Sequence, residues 1–254
     1  MNRTASSEHD HTTTFVLVHG AWYGGWYWKK LTPLLQAAGH PVFTPTLTGL
    51  GERSHLLTPE VDLDTHIKDI ALVLEYEDLH HVVLVGHSYA GMVVAGVAEA
   101  LGTRVAQLVF LDAFLPESGK ALTDYAPSPP TWEGEWRVPA LGTSRDFGVT
   151  DESDIAWAEP RVGDQPHRTL TQPVQLSAQM YDSFAKTYIQ LTEAPWFVEA
   201  AERAKRQSFR SYTLLTGGHD AMISQPKAVA EILLDVARSE RRAQQADWAT
   251  VNIN

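Results

Sequence analysis

The sequence predicts an α/β protein with a mostly parallel sheet of about six strands, flanked by helices. Short apolar runs, as at residues 15–18, 82–85 and 107–111, alternate with longer segments of helical periodicity. The length of 254 residues suits one large α/β domain or two small ones, and a composition of 44% hydrophobic and 20% charged residues is typical of a soluble globular protein. Because helical crossovers join the strands, we expect their carboxyl ends to share one edge of the sheet.

The composition excludes several classes of function. A formal net charge of −11 argues against nucleic acid or an anionic membrane as a partner, because both bind basic surfaces. The chain has no cysteine, so disulfides, thiolate metal sites and a cysteine nucleophile are excluded. Residues 1–14 are polar, and no run reaches the roughly 18 apolar residues that cross a bilayer. We therefore expect a cytoplasmic protein, and a homo-oligomer stays open because the sequence does not set the oligomeric state.

The first part of the chain follows the alternating pattern. The elements expected there are a flexible leader over residues 1–13, strands at 15–18 and 41–45, helices over 29–38 and 62–75, and a loop over 46–54. His9 and His11 in the leader are interpreted as solvated side chains and not as metal ligands. A strand at 82–85 then leads through a tight turn into a helix over 92–101.

Residues 116–184 interrupt the pattern with prolines, tryptophans and weak periodicity. This stretch is too long for a plain loop, so we expect a cap inserted over the strand ends, with helices near 151–157 and 175–184. The pattern then resumes, and the remaining elements are strands at 187–191 and 212–215, helices over 196–206 and 225–238, and a polar tail over 240–254. The core domain would then comprise residues 14–115 and 185–239.

The stretch Gly86-His87-Ser88-Tyr89-Ala90-Gly91 is the strongest functional signal. A buried strand, a tight turn and an immediate helix form the context in which Gly-x-Ser-x-Gly holds a nucleophilic serine. Such a turn exposes the hydroxyl near the positive end of the helix, which suits an oxyanion. Ala90 stands where the motif has glycine, with Gly91 behind it, so we expect a tighter turn.

A serine hydroxyl is a weak nucleophile and needs a base and an orienting carboxylate. His219, in a glycine-flanked loop after the last strand, is the candidate base. Asp112 ends the strand after Ser88, and Glu193 ends the strand before the histidine, so both fit the third role. We expect Asp112, with Glu193 as the alternative acid.

Further candidate site residues are expected at the same edge of the sheet. The two oxyanion donors should be the backbone N–H groups of Tyr89, after the nucleophile, and Ala21, after the first strand. An apolar substrate pocket is expected under the cap, and its candidate lining residues are Trp22, His87, Trp132, Trp136 and Trp157.

These motifs resemble a known family. His19-Gly20-Ala21-Trp22, the stretch from Gly86 to Gly91, and Gly218-His219 are similar to the α/β-hydrolase superfamily, from about residue 15 to residue 238. Together with residues 44–53, they are most similar to small bacterial carboxylesterases related to plant methyl esterases and hydroxynitrile lyases. The resemblance implies an α/β-hydrolase fold, a small-molecule ester substrate, an acyl-enzyme mechanism and no cofactor or metal.

The chain also departs from that branch. Plant members place the acid after the penultimate strand, where Glu193 lies, whereas other members of the superfamily place it where Asp112 lies. Hydroxynitrile lyases carry a lysine beside the catalytic histidine and a threonine after the first strand. Asp220 and Gly20 stand at those positions here, which weakens the lyase reading. A cofactor-free lyase and a non-catalytic small-molecule receptor remain the alternatives to an esterase.

Overall fold

Six parallel strands form the central sheet, as the alternation of apolar runs predicts. The computed structural model describes residues 12–126, 132, 134–207, 209 and 211–251, without the side chains of 211–214 and 240–251. The strands are β1 (Phe15–Val18), β2 (Val42–Phe43), β3 (Val82–His87), β4 (Val105–Leu111), β5 (Arg137–Val138), β6 (Gln165–Pro166), β7 (Ala185–Leu191) and β8 (Ser211–Leu215). The sheet order is β2-β1-β3-β4-β7-β8, whereas β5 and β6 form a separate antiparallel pair.

Helices connect these strands and cover both faces of the sheet. They are α1 (Thr32–Ala37), α2 (Leu63–Tyr76), α3 (Ala90–Leu101), α4 (Glu152–Ala158), α5 (Arg168–Thr171), α6 (Ala178–Ser183), α7 (Val198–Arg206), α8 (Ala221–Ser224) and α9 (Pro226–Val251). Short 3₁₀ turns occupy Gly25–Trp28, Gly51–Leu56, Gly102–Arg104, Leu122–Asp124, Glu159–Arg161 and Pro195–Phe197. Within the described part of the chain, no helix combines the length and apolar character needed to cross a membrane.

The sheet separates two hydrophobic cores. Val16 and Val18 of β1 face a core built with α2 and α3, while Phe15 and Leu17 face a core built with α1 and α9. All four side chains are fully buried. A strand that is covered on both faces has no polar side, which is why β1, β3 and β4 read as continuous apolar runs.

Two helices differ in their bounds from the expected elements. The helix expected over residues 29–38 starts only at Thr32, because Pro33 suits the first turn of a helix, and a 3₁₀ turn precedes it. The last helix continues to Val251 instead of ending near residue 238, since residues 240–251 contain no glycine or proline. Residues 1–11, with His9 and His11, lie outside the described residues.

The chain between β4 and β7 lies outside the main sheet. It contains the two short strands β5 and β6 and the short helices α4, α5 and α6. The helices expected near 151–157 and 175–184 correspond to α4 and α6. We refer to residues 116–184 as the 116–184 segment.

Two glycines allow β3 and α3 to approach their neighbours around Ser88. A Cβ atom at Gly91 would lie 2.0 Å from the carbonyl oxygen of Phe114, and one at Gly86 would lie 2.6 Å from that of Ala90. Ala90 itself is fully buried and is accommodated. The close approach therefore falls at Gly91, one residue beyond the position that the Gly-x-Ser-x-Gly pattern indicates.

Gly91→Ala should lower the free energy of unfolding by roughly 1–3 kcal/mol, because the added methyl group forces α3 away from Phe114. Gly163→Ala is the matched control, since a Cβ atom there would meet no atom within 4 Å. The control should stay within about 0.5 kcal/mol of the parent protein. Chemical denaturation measures both variants, and equal midpoints would contradict this account of the turn.

Candidate active site

The predicted site residues gather at the carboxyl ends of the parallel strands. Ala21 and Trp22 follow β1, Ser88 follows β3, Asp112 follows β4 and His219 follows β8. Three of these five residues have positive φ angles, +67° at Trp22, +55° at Ser88 and +43° at Asp112. Residues other than glycine rarely adopt this conformation, and such strain is concentrated at functional sites.

The turn at Ser88 is held through its backbone. Ser88 N–H donates to Leu111 O (3.4 Å), and Ser88 O accepts from the N–H groups of Gly91 and Phe114, each at 3.1 Å. The residue is half-buried, and α3 begins two positions later at Ala90. The Ser88 hydroxyl makes no hydrogen bond to any described residue. It is therefore available at the edge of the sheet, close to the positive end of α3.

A short buried hydrogen bond joins His219 to Asp112. His219 Nδ1 and Asp112 Oδ2 are 2.7 Å apart, and Asp112 Oδ1 accepts from Leu191 N–H at 3.2 Å. Burial raises the pKa of the Asp112 carboxyl, and the hydrogen bonds from His219 and Leu191 oppose that rise. An ionised carboxylate only accepts hydrogen bonds, so His219 Nδ1–H is the donor to such a carboxylate and Nε2 is the ring nitrogen that Asp112 does not contact.

The two candidate acids have different surroundings. Glu193 is exposed, and its backbone N–H donates to Gly217 O at 3.1 Å. Asp112 is fully buried, and it is the carboxylate that contacts the His219 imidazole among the described side chains. The geometry therefore brings Asp112, and not Glu193, to the histidine.

Aromatic rings surround the His219 imidazole. Phe197 stacks on it at 5.2 Å between ring centroids, and Phe147 and Trp196 lie at 5.6 and 5.8 Å. None of these three residues was among the predicted site residues. The run Pro195-Trp196-Phe197 follows a strand that ends near Glu193, and its position at the carboxyl end of β7 is the signal that was available.

His87 lies behind His219 and not in an open pocket. Its ring is fully buried, packs at 4.3 Å from the His219 ring, and donates from Nε2 to the His219 carbonyl oxygen at 3.1 Å. Burial lowers the pKa of His87 well below its usual value. His87 therefore stays neutral at pH 7 and supports the loop that carries His219.

Asp220 forms a second buried carboxylate beside the histidine. It accepts hydrogen bonds from the hydroxyl groups of Tyr23 (3.0 Å) and Tyr27 (2.6 Å). Burial raises the pKa of Asp220 to about 6. The backbone of Asp220 also donates to Phe147 O at 2.9 Å, so the loop after β8 is fixed on both sides of the imidazole.

The loop after β1 lies directly beside the serine. A Cβ atom at Gly20 would be 3.1 Å from Ser88 Cβ. His19 supports this loop by donating from Nδ1 to Gly20 O (2.8 Å) and accepting Leu47 N–H at Nε2 (3.1 Å); burial lowers the pKa of His19 to about 3. The backbone N–H groups of Ala21 and Tyr89 make no hydrogen bond within the described residues. Both expected oxyanion donors are thus free.

The four tryptophans that were predicted to line the substrate pocket lie in different surroundings. Trp22 and Trp132 pack together at 6.1 Å, and Trp132 is buried. Trp157 packs against Trp26 at 5.2 Å, whereas Trp136 is 39% exposed. Trp22 and Trp132 form an aromatic pair next to the loop after β1, and Trp157 packs against the aromatic 3₁₀ turn instead.

Comparisons with known proteins agree with this architecture. A model of the alpha/beta hydrolase family matches residues 15–232. A carbendazim hydrolyzing esterase from Nocardioides sp. (strain SG-4G) is 35% identical over 239 residues, covering 86% of this chain and 97% of that esterase. Polyneuridine aldehyde esterase from Rauvolfia serpentina is 26% identical over 262 residues, covering 89% and 96%.

A solved structure shares the fold. An extracellular alpha/beta-hydrolase from a Paenibacillus species superposes with a TM-score of 0.76 at 24% identity, covering 88% of this chain and 98% of that one. At this level of identity the superposition shows a shared fold. Family membership is shown by the family model and by the Nocardioides relative. The chain therefore belongs to the alpha/beta hydrolase family, in a branch of that family that includes carboxylesterases.

Proposed function

We propose that this protein is a serine esterase that cleaves small carboxylic esters with apolar or aromatic groups through an acyl-enzyme. The observation that carries the proposal is the buried hydrogen bond of 2.7 Å between Asp112 and His219, at the same sheet edge as the strained turn at Ser88. An imidazole that is oriented by a carboxylate and lies near an accessible serine is the arrangement that activates a hydroxyl nucleophile.

Each group has one role in the proposed reaction. Ser88 Oγ attacks the ester carbonyl carbon while His219 Nε2 takes the hydroxyl proton, and Asp112 stabilises the imidazolium that forms. The N–H groups of Ala21 and Tyr89 bind the oxyanion of the tetrahedral intermediate. The alcohol leaves with the proton from His219, and a water activated by the same imidazole then releases the acid.

The Ser88 hydroxyl has to approach the imidazole during this reaction. It makes no hydrogen bond in the described part of the free protein. Catalytic hydrogen bonds are often long or misaligned in free enzymes and shorten when substrate binds. The backbone of each loop is held by hydrogen bonds, at Ser88 to Leu111, Gly91 and Phe114 and at Asp220 to Phe147, so we propose that the side chains make this approach.

The surroundings of the imidazole favour an apolar substrate. Phe147, Trp196 and Phe197 contact His219, and Trp22 and Trp132 pack beside the candidate oxyanion loop. Part of this aromatic surface comes from the 116–184 segment, which we propose acts as the cap of the site. Two related proteins named as esterases of carbendazim and of polyneuridine aldehyde support hydrolysis of small organic esters.

The lyase alternative has less support. It calls for a cation next to the catalytic histidine, and the neighbouring residue here is Asp220, whose carboxylate is buried against Tyr23 and Tyr27. The receptor alternative predicts binding without turnover. The free serine and the paired histidine favour turnover.

Ser88→Ala should abolish the burst of p-nitrophenol that the parent protein releases from p-nitrophenyl acetate, because no acyl-enzyme can form. The steady rate should fall by at least about 10³-fold. Ser239→Ala is the control, since Ser239 lies exposed on α9 and its hydroxyl donates to Asp235 O. Stopped-flow absorbance measures the burst, and a burst that survives in Ser88→Ala would reject the proposal.

Asp112→Asn and Glu193→Gln separate the two candidate acids. The first exchange should lower kcat by about 10³- to 10⁴-fold, because the amide no longer stabilises the charged imidazole or fixes its tautomer. Glu193→Gln should stay within about twofold of the parent, since that side chain is exposed away from the imidazole. Steady-state ester hydrolysis measures kcat of both variants, and thermal unfolding checks that they fold. A larger loss of kcat in Glu193→Gln than in Asp112→Asn would assign the role of the acid to Glu193.

A further inference from the structure

Gln165, in the 116–184 segment, is connected to the loop after β1 by an ordered chain of hydrogen bonds. The Thr169 hydroxyl donates to Pro166 O (2.6 Å), Gln165 Nε2 donates to Thr169 Oγ1 (2.6 Å), and Trp22 N–H donates to Gln165 Oε1 (3.0 Å). Gln165 and Thr169 are both buried. Since a backbone N–H only donates, the carboxamide has its oxygen toward Trp22, and Thr169 holds it in that orientation.

Trp22 is fixed to this segment at three atoms. Besides the bond to Gln165, its carbonyl oxygen accepts Gly163 N–H at 2.9 Å and its indole Nε1–H donates to Val138 O at 3.1 Å. The φ angle of Trp22 is +67°, a conformation that residues other than glycine rarely adopt. The strained residue is therefore held by contacts from the 116–184 segment.

The residue before Trp22 is Ala21, which supplies one of the two oxyanion donors in the proposed mechanism. The peptide that carries Trp22 N–H shares the Ala21 Cα atom with the peptide that carries Ala21 N–H. The anchored Trp22 backbone fixes the position of the Ala21 Cα atom, and a shift of that atom would move the Ala21 N–H donor with it. An oxyanion donor contributes only when it lies about 2.7–3.1 Å from the developing charge.

We propose that Gln165 is a positioning residue that aligns the Ala21 N–H with the oxyanion, so that the 116–184 segment sets the geometry of the reaction centre as well as covering it. This inference rests on the proposed serine esterase function. Gln165 does not touch the reacting atoms and acts through the backbone of Trp22.

Gln172 provides a matched control in the same segment. Its Oε1 atom accepts Leu63 N–H at 2.9 Å and Asp64 N–H at 3.4 Å, so its carboxamide also binds main-chain N–H groups of the core. Those groups lie at the start of α2, away from the loop after β1. Gln165→Met and Gln172→Met therefore make the same chemical change at two attachments of one segment.

The experiment compares kcat per active site, counted by burst titration, and inhibition by an aryl trifluoromethyl ketone whose hemiketal oxygen occupies the oxyanion position. Gln165→Met should lower kcat about 10- to 100-fold and weaken ketone inhibition by a similar factor, with KM within about threefold. Gln172→Met should leave both quantities within about threefold. A role in folding alone would lower the melting temperature without this parallel loss.

Three results would overturn the inference. Folded Gln165→Met with kcat and ketone inhibition like the parent would reject it, and so would equal losses in Gln165→Met and Gln172→Met. If Gln165→Met does not fold, Thr169→Val removes the hydroxyl that orients the carboxamide, and a parent-like kcat in that variant would reject the inference. Hydrolysis that persists in Ser88→Ala would instead reject the proposed function itself.

Discussion

The hydrogen bond between His219 and Asp112 is the interaction on which the candidate site depends. The two residues are 107 positions apart in the chain, and the partners meet because β4 and β8 both end at the same edge of a parallel sheet. The pair is buried, so the Asp112 carboxylate would carry a large desolvation cost if it lost the hydrogen bond from His219. The surrounding structure accordingly serves to hold these two side chains in place at the sheet edge that also carries Ser88.

Several neighbouring elements provide that support through the backbone. Leu191 N–H binds the second oxygen of Asp112, and His87 binds the carbonyl oxygen of His219. Asp220 anchors the histidine loop to Tyr23 and Tyr27. The positive φ angles of Ser88 and Asp112 are tolerated because hydrogen bonds from neighbouring elements fix the backbone at the site. The candidate site is thus a set of constrained turns on a rigid sheet.

The sequence predicted the parts of this arrangement that depend on local pattern. Apolar runs identified the six strands, and the tight turn after β3 identified Ser88. The identity of the acid depends on which strands are neighbours and which side chains are buried. Asp112 and Glu193 each follow a strand, so local pattern could not decide between them. The long α9 helix was predicted too short because its polar residues 240–251 resemble a tail.

The aromatic surroundings of His219 could not be predicted for a related reason. Phe147 belongs to the 116–184 segment, whose weak periodicity gives no indication of where it packs. The same holds for Gln165, which meets Trp22 across 143 residues of sequence. The contact between this segment and the loop after β1 becomes visible only in three dimensions.

The central claim is that Ser88 becomes covalently acylated. The most direct measurement is to react the protein with p-nitrophenyl acetate, stop the reaction with acid during the burst, and map the acetyl group by peptide mass spectrometry. We expect one acetyl group on the peptide that contains Ser88, with fragmentation placing it on that residue. Release of p-nitrophenol without an acetyl group on Ser88, or with the group on another residue, would contradict the account.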